Sequence, residues 1–511
     1  MKLKVSEDKE FLVVVDCTSH ELEQLQFSFT KKVANWFIIR KKIRSGWDGE
    51  VKFIDRYHRI PIGLWHEVQK LAKKFKMPLE VDGIEYLYDK DYNESEFTEW
   101  LNEYFIEADI FPYDYQIEGT SRLFKYRRCT EEISTAGGKT LMAFMAFKYL
   151  FDKKLINKML YVVPNINLVT QTEEKFYEYE DRCGKKPDWK SLCVFGGRKK
   201  DLKNENIVFG TYQSLTKKDL DYFKEFDVVC IDEAHHGATN SIKDIITKCH
   251  NTKYRFGLTG TLPNEDTLES FTIQAYLGPR VYLVTSAEVI TAKHATPVQV
   301  ICIELDYLDI ETKKKLYELR NVSADEKDGV KLLNLEKDIL RSDRKRLNYV
   351  TEKIASVTKN SLVLFADIKN EYGRTIYNWI KENTEKTVYY IDGGTSNDNR
   401  DYYKKQMEEN ENVIIIASVG TFSEGIDILN IHNLFIVESH KSEYIVRQIL
   451  GRGMRLMEGK DKITVIDFSD NYEYGTNPWQ KKNYLLRHAI ARQLIYKKKQ
   501  FPFKKYKVKL S

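Results

Sequence analysis

Residues 134–151 read STAGGKTLMAFMAFKYLF, a short loop holding two glycines, a lysine and a threonine that runs into an apolar helical pattern. A glycine-containing loop entering a helix presents backbone N–H groups at the positive end of the helix dipole, where phosphate binds well. In such a loop Ala136, Gly137 and Gly138 would line the cradle. Lys139 would reach the β- and γ-phosphates, and the Thr140 hydroxyl would ligate Mg²⁺. The strict P-loop spacing wants a further glycine five residues before Gly138, and Ile133 stands there instead. By itself the stretch fits an ordinary strand-to-helix turn as well as a phosphate site.

Outward from this loop, from about residue 127 to 470, short β-branched runs alternate with helical stretches, the pattern of a parallel α/β sheet. Strands are expected at 158–163, 206–210, 226–232 and 254–259. A second series is expected at 361–366, 387–391, 412–418, 433–438 and 463–468. Such near-continuous apolar strands need helices on both faces. Between the series, 281–360 has charged helical stretches around 310–320 and 343–357 and no nucleotide motif, so two α/β units join there.

Two further clusters carry chemistry. Asp232-Glu233-Ala234-His235 follows the apolar run FDVVCI. Paired carboxylates at a strand end suit Mg²⁺ binding by Asp232 and activation of an attacking water by Glu233. In Gln448-Ile449-Leu450-Gly451-Arg452-Gly453-Met454-Arg455, the two arginines lie three apart and share a helix face. Guanidiniums presented to a γ-phosphate act as arginine fingers; two solvated surface arginines would look the same in isolation.

Composition narrows the class. The 511 residues are 42% hydrophobic and 13% aromatic, which excludes disorder as the main state. Lys+Arg is 81 against Asp+Glu 76, a net +5 that says little about partners until the charges are placed. Seven cysteines without a CxxC pair argue against a disulfide scaffold or zinc ribbon. No apolar stretch is long enough to cross a bilayer, and the short run after the N-terminus is no signal segment, so a cytoplasmic protein is expected. Residues 1–108 mix an alternating strand, a basic stretch (WFIIRKKIRSGWDGEVKFIDRY) and helical segments, as a separate α+β domain would. The last 31 residues hold eleven Lys/Arg and no acid. Phe501, Phe503 and Tyr506 among those lysines suit either DNA contact or a solubilising end.

In order and spacing these clusters resemble the superfamily 2 nucleic-acid helicases. Tyr115-Gln116 resembles the adenine-reading Q-motif. Pro164, Leu168 and Gln171 fit motif Ia, and Gly196-Gly197 with Thr211–Leu215 fit Ib and Ic. Asp232–His235 is a DEAH box, Thr259-Gly260-Thr261 stands at motif III and Leu364-Phe365 at IV. Thr421, Ser423, Glu424, Gly425, Ile426 and Asp427 match V, and 448–455 matches VI. The stretch FIIRKKIRSGWDGEVKFIDRYHRIPIGL and the late KKNYLLRHAIARQ further resemble the UvsW phage recombination helicases. Ser134 and Ala136 depart from the family, which often has Pro and Gly there.

The resemblance implies two tandem RecA-like parallel-sheet domains, 109–285 and 286–480, preceded by a small α+β domain at 1–108 for substrate recognition and followed by a basic helix or tail at 481–511. It implies ATP and Mg²⁺ between the RecA-like domains, with Tyr115, Gln116, Gly425 and Asp427 on the nucleotide and Gln448, Arg452 and Arg455 completing the catalytic set. His235, Thr259 and Thr261 would couple hydrolysis to strand grip. Asn165, Gly197, Thr211, Gln213 and Thr421 would line the nucleic-acid groove, with Arg40, Lys42, Arg44 and Trp47 as an N-terminal contact, Trp47 alternatively packing its own hairpin. The expected activity is 3′-to-5′ unwinding of branched DNA such as Holliday junctions, forks and R-loops. Expected partners are single-stranded or branched DNA or an RNA–DNA hybrid, with single-strand-binding and recombination proteins; no membrane is involved and the protein is expected to be a monomer. A double-strand translocase, an RNA helicase, or an annealing scaffold with a regulatory ATP site remain open on the residues alone.

Overall fold

The computed structural model describes residues 1–510 apart from 34–35, 37–46, 197–201, 323–325, 367–370, 424–427, 439–442 and 478–479. Arg40, Lys42, Arg44, Gly197, Gly425 and Asp427 therefore lie outside the described residues, as does the side chain of Gln448. The chain divides into two compact units, Met1–Val284 and Thr285–Ser511.

The first unit is built on a seven-stranded sheet. Its spatial order is Arg280–Val284, Arg128–Ile133, Tyr254–Thr259, Val228–Asp232, Met159–Val163, Ile207–Thr211 and Ser191–Val194. Every pairing is parallel. The order brings the strands that end in Ile133, Asp232 and Thr259 side by side at the sheet centre, so the loops beyond their carboxyl ends converge. That is where open α/β sheets form sites. The four strands expected here are present. Three others, at 128–133, 191–194 and 280–284, escaped the apolar pattern. RCTEEI at 128–133 is polar at four of six positions yet wholly buried. Its end charges are neutralised from outside the strand, Arg128 by Glu10 at 3.0 Å and Glu132 by Arg280 at 2.9 Å.

Within the same unit, the N-terminal residues form a four-stranded sheet, a hairpin and the helices Ser19–Ser28 and Trp65–Lys74. This α+β layer shares a core with the helix Leu268–Leu277, where Phe271 joins Phe29, Phe53, Leu64 and Trp65. Gly63 fits against that helix so tightly that a Cβ would lie 2.0 Å from Gln274 O. Glu10 reaches past Arg128 to Arg255, at 2.9 and 2.5 Å. Trp47 donates its indole N–H to Glu50 O at 3.0 Å, within its own hairpin turn.

The second unit repeats the architecture. The order is Val388–Ile391, Ile414–Ser418, Ser361–Phe365, Asn433–Ile436, Ile463–Asn471, Val298–Tyr307 and Phe503–Leu510, again all parallel. The five expected strands are found, and the two central runs that read as charged and helical become Ile310–Val322 and Arg344–Ser356. Two strands were not expected. Phe503–Leu510, in the basic tail, is the sheet's edge strand: Lys505 and Lys507 lie over Glu304 and Asp306 at 2.5 and 3.2 Å, while Val508 and Leu510 turn into the core. Lysine along an edge also discourages pairing with other chains. The fold is two tandem RecA-like parallel sheets with a small N-terminal α+β region. No helix among the described residues is long and apolar enough to cross a membrane.

Candidate active site

The loop joining the strand Arg128–Ile133 to the helix Lys139–Asp152 turns sharply. Ala136 and Gly138 both take left-handed backbone, with φ of 70° and 78°. A Cβ on Gly137 would stand 2.7 Å from Ile133 Cγ2, and one on Gly138 would stand 2.1 Å from Gln116 Nε2. Both glycines are sterically required, whereas Ala136 carries roughly 1–2 kcal/mol of strain that glycine would avoid. Gln116 is buried and wedges the loop from the side. Its Oε1 accepts from Tyr113 N at 2.9 Å and its Nε2 donates to Gly137 O at 3.0 Å. The first bond satisfies the backbone N–H of Tyr113, the residue that precedes the helix Asp114–Lys125. The Tyr115 ring lies beside that of Tyr113, 5.8 Å between centroids. Lys139 and Thr140 open the helix, both partly exposed.

Asp232 ends its strand, and Glu233 follows at φ 52° with its N–H donated to Asp232 Oδ1 at 2.9 Å. Burial and the Glu233 charge push the Asp232 carboxyl up, against the pull of the Lys139 ammonium. Burial acts on Glu233 in the same direction, but Lys139 and the contact with His235 outweigh it and hold Glu233 low. Burial and then the Asp232 charge keep the phenol of Tyr161, on the adjacent strand, protonated. In the sequence Tyr161 looks like any core aromatic, and only the fold brings it beside Asp232.

Thr259 is the hub between these acids and the next loop. Its Oγ1 lies 3.0 Å from His235 Nδ1, 3.5 Å from Glu233 Oε2 and 3.0 Å from Thr261 O, and it accepts from Thr261 N at 3.2 Å. His235 Nδ1 is itself 3.3 Å from Glu233 Oε2. One hydroxyl proton faces several acceptors, so this node can change partner without moving the backbone.

Three of the groove residues expected from the motifs cap or tie loops at the same end of the sheet. Asn165 caps the helix Ile166–Arg182 through Leu168 N at 3.0 Å. Thr211 caps Tyr212–Leu215 through Ser214 N at 3.3 Å, and Gln213 Nε2 reaches Pro164 O at 3.3 Å.

In the second unit, Thr421 pairs its hydroxyl with Ser418 at 2.7 Å. Arg452, on the helix Glu443–Gly453, donates Nη1 to Phe422 O and lies over the Phe422 ring. Arg455 follows just beyond the helix end, partly exposed.

Among the described residues no group of three or more His, Cys, Asp or Glu could hold a metal alone. The hard oxygens at hand, the Thr140 hydroxyl and the Asp232 carboxylate, fit a Mg²⁺ that takes its remaining ligands from water and phosphate.

Comparison with known families agrees with this geometry. Residues 109–264 match the family described as the type III restriction enzyme, res subunit, and 345–457 match the helicase conserved C-terminal domain. These are the two halves of a superfamily 2 motor, and the chain is an ATP-dependent helicase of that superfamily. Within it the chain is UvsW-like: it is 29% identical over 521 residues to the ATP-dependent DNA helicase uvsW of Enterobacteria phage T4, covering 96% of each. It is also 25% identical over 370 residues to the DNA 3′-5′ translocase XPB2 of Sulfurisphaera tokodaii, covering 68% of this chain and 79% of that one. The fold alone is shared with a putative HsdR subunit fragment of a type I restriction enzyme from Vibrio vulnificus, at TM-score 0.52 and 15% identity over 99% and 87% of the two chains.

Proposed function

We propose that this helicase hydrolyses ATP at the 134–140 loop and uses the cycle to unwind and remodel branched DNA, including Holliday junctions, forks and R-loops, moving 3′ to 5′ in phage recombination, replication and repair. The observation that carries the reading is the set of a glycine loop opening a helix at Lys139, two carboxylates at the end of the strand Val228–Asp232, and a Thr259 hydroxyl 3.5 Å from the second of them. Lys139 and the loop N–H groups bind the β- and γ-phosphates. Gln116, and Tyr115 beside it, set the loop and face the base, while Gly425 and Asp427 approach the ribose. Thr140 and Asp232 would hold Mg²⁺, which would supply charge neutralisation at the phosphates. Glu233, kept ionised, orients the attacking water and takes its proton. Gln448, Arg452 and Arg455 belong to the catalytic set, the arginines as charge stabilisers worth about 10³–10⁵ in rate in comparable enzymes. Exchange of the Thr259 proton among Glu233, His235 and Thr261 transmits the γ-phosphate state toward the DNA loops.

Asn165, Gly197, Thr211, Gln213 and Thr421 contact the phosphate backbone and so read no sequence. Arg40, Lys42, Arg44 and Trp47 add a junction contact. The uncovered start of the C-terminal strand, with Lys504 and Tyr506 (51% exposed), adds a basic and stacking surface. The 3′-to-5′ polarity is supported by likeness to the translocase named above, and the branched-DNA role by likeness to the UvsW family. The protein acts as a cytoplasmic monomer alongside single-strand-binding and recombination proteins.

ATP-dependent unwinding of forked, Holliday, blunt-duplex and RNA–DNA substrates, compared side by side with Lys139→Ala as control, tests this reading. Branched substrates are expected to be processed fastest, with no unwinding by the variant. Preference for blunt duplex without strand separation would favour a double-strand translocase. Annealing function retained in Lys139→Ala would favour a scaffold.

A further inference from the structure

Lys460 is 6% exposed and has no carboxylate within ion-pair distance among the described residues. Buried lysines normally have an acidic partner. Instead its Nζ lies 2.7 Å from Gly453 O, 2.9 Å from Leu429 O and 3.3 Å from Arg455 O. Gly453 ends the helix Glu443–Gly453, whose last carbonyls lack intrahelical partners and carry the negative end of the dipole. The carbonyl between the two is also taken, since Thr296 N donates to Met454 O at 2.7 Å. The Thr296 hydroxyl donates to Arg455 O at 2.8 Å. Gly453 also packs closely under Ile463, whose Cδ1 would lie 2.2 Å from a Cβ built there. Three consecutive carbonyls are thus held by one ammonium and one threonine, and the same ammonium reaches the segment that follows residues 424–427.

We infer that Lys460 and Thr296 are positioning residues for ATP hydrolysis: they fix the backbone from which the Arg455 guanidinium projects, and Lys460 ties it to the backbone at Leu429. The inference rests on the role proposed above for Arg455. Burial pushes the Lys460 ammonium down to about 8, so at neutral pH it still carries the charge that the three carbonyls require. Neither residue need touch nucleotide. Their effect is on the geometry of a charge-stabilising group, where displacements of about 1 Å can cost on the order of a hundredfold in rate.

The test is DNA-stimulated ATPase of the full chain in a double-mutant cycle. Lys460→Met is expected to lower kcat about tenfold with KM for ATP changed less than about twofold. Thr296→Val should do the same more weakly, with Thr296→Ser near wild type. In the Arg455→Ala background, Lys460→Met should cost nothing further. Wild-type turnover in Lys460→Met, or full additivity with Arg455→Ala, overturns the inference while leaving the Arg455 assignment standing. Wild-type turnover in Arg455→Ala alone overturns that assignment, and the inference with it. Should Lys460→Met prove unfolded by circular dichroism and thermal melting, Thr296→Val, which removes a single hydroxyl, replaces it in the same cycle under the same criteria.

Discussion

In the second unit, Glu336, Glu438, Asp467 and Asp470 are buried, and each meets an arginine: Arg320 at 3.3 Å, Arg341 at 2.7 Å, Arg492 at 2.7 Å and Arg346 at 2.6 Å. Buried Glu304 meets Lys505. Among the described, fully buried acids of the first unit, Glu132 is the one matched this way, by Arg280. Glu180 is satisfied by the neutral donors Tyr104 and Trp189, Glu131 has no hydrogen-bond partner, and Asp232 and Glu233 share the influence of Lys139. The two sheets have the same architecture, so the difference lies in what each unit's buried acids are for. Matched acids hold the second unit together. The surplus of negative charge at Asp232 and Glu233 leaves a place where an added cation would be favoured.

The sharpest way to break this contrast is to remove one partner from each unit. Arg346 makes two bonds to Asp470 and further ones to Tyr372 and Val437 O. Arg346→Met would strand a buried carboxylate and is expected to cost about 3–5 kcal/mol in denaturant-measured stability. Glu233→Gln should change stability far less, since the repulsion with Asp232 that it relieves is set against the attraction of Lys139 and His235 that it loses. Its ATPase, in contrast, should fall about 10²–10³-fold, on the order of 3–4 kcal/mol in the barrier, with an ATP-bound, DNA-gripping state accumulating. A Glu233→Gln protein as destabilised as Arg346→Met would mean that the first unit's acids are structural too.

The same contrast explains what the sequence made legible. Apolar parallel strands announce themselves, and the nine that read so are all present. Each site motif is a short contiguous run, and the structure puts His235, Thr259 and Glu233 in contact. The strand Arg128–Ile133 was hidden because its charges are cancelled by residues distant in sequence, Glu10 and Arg280. The tail strand was hidden because its lysines find Glu304 and Asp306 only once the sheet exists. The roles of Gln116, Tyr161 and Lys460 are tertiary in the same sense: each depends on a backbone or charge brought near by folding.

A smaller effect sharpens the contrast through pH. Burial raises the Glu131 carboxyl well above its ordinary range, with Arg122 only partly opposing. The unfolded chain gives up this proton above about pH 4.3 while the folded chain keeps it, so Glu131 makes stability fall as pH rises from there. Glu131→Met should remove that loss and be more favourable at pH 8 than at pH 5 by at least about 1 kcal/mol, measured as paired urea midpoints. An equal effect at both values would show that Glu131 is ionised and paired like the acids of the second unit.

The smallest expected effect concerns strain. At the first unit's candidate site two non-glycine residues, Ala136 and Glu233, hold left-handed backbone; in the second unit, the described residues that do so are Lys293, Lys359, Glu371, Asn412 and Gln500, none of them in the expected motifs. Ala136→Gly removes the Cβ from an unfavourable φ but gives the unfolded chain more freedom, so the two terms nearly offset and a net gain of about 0.5–1 kcal/mol is expected. If the strain serves only to shape the loop, ATPase KM and kcat should stay within about twofold, because Gly137 and Gly138 keep their contacts with Ile133 and Gln116. If it presets the loop for phosphate, the stabilised variant should bind ATP more weakly, since part of the lost strain would then have been released on binding. Thermal melting with and without ATP separates the two: the gain in Tm from the substitution should persist with saturating nucleotide in the first case and shrink in the second.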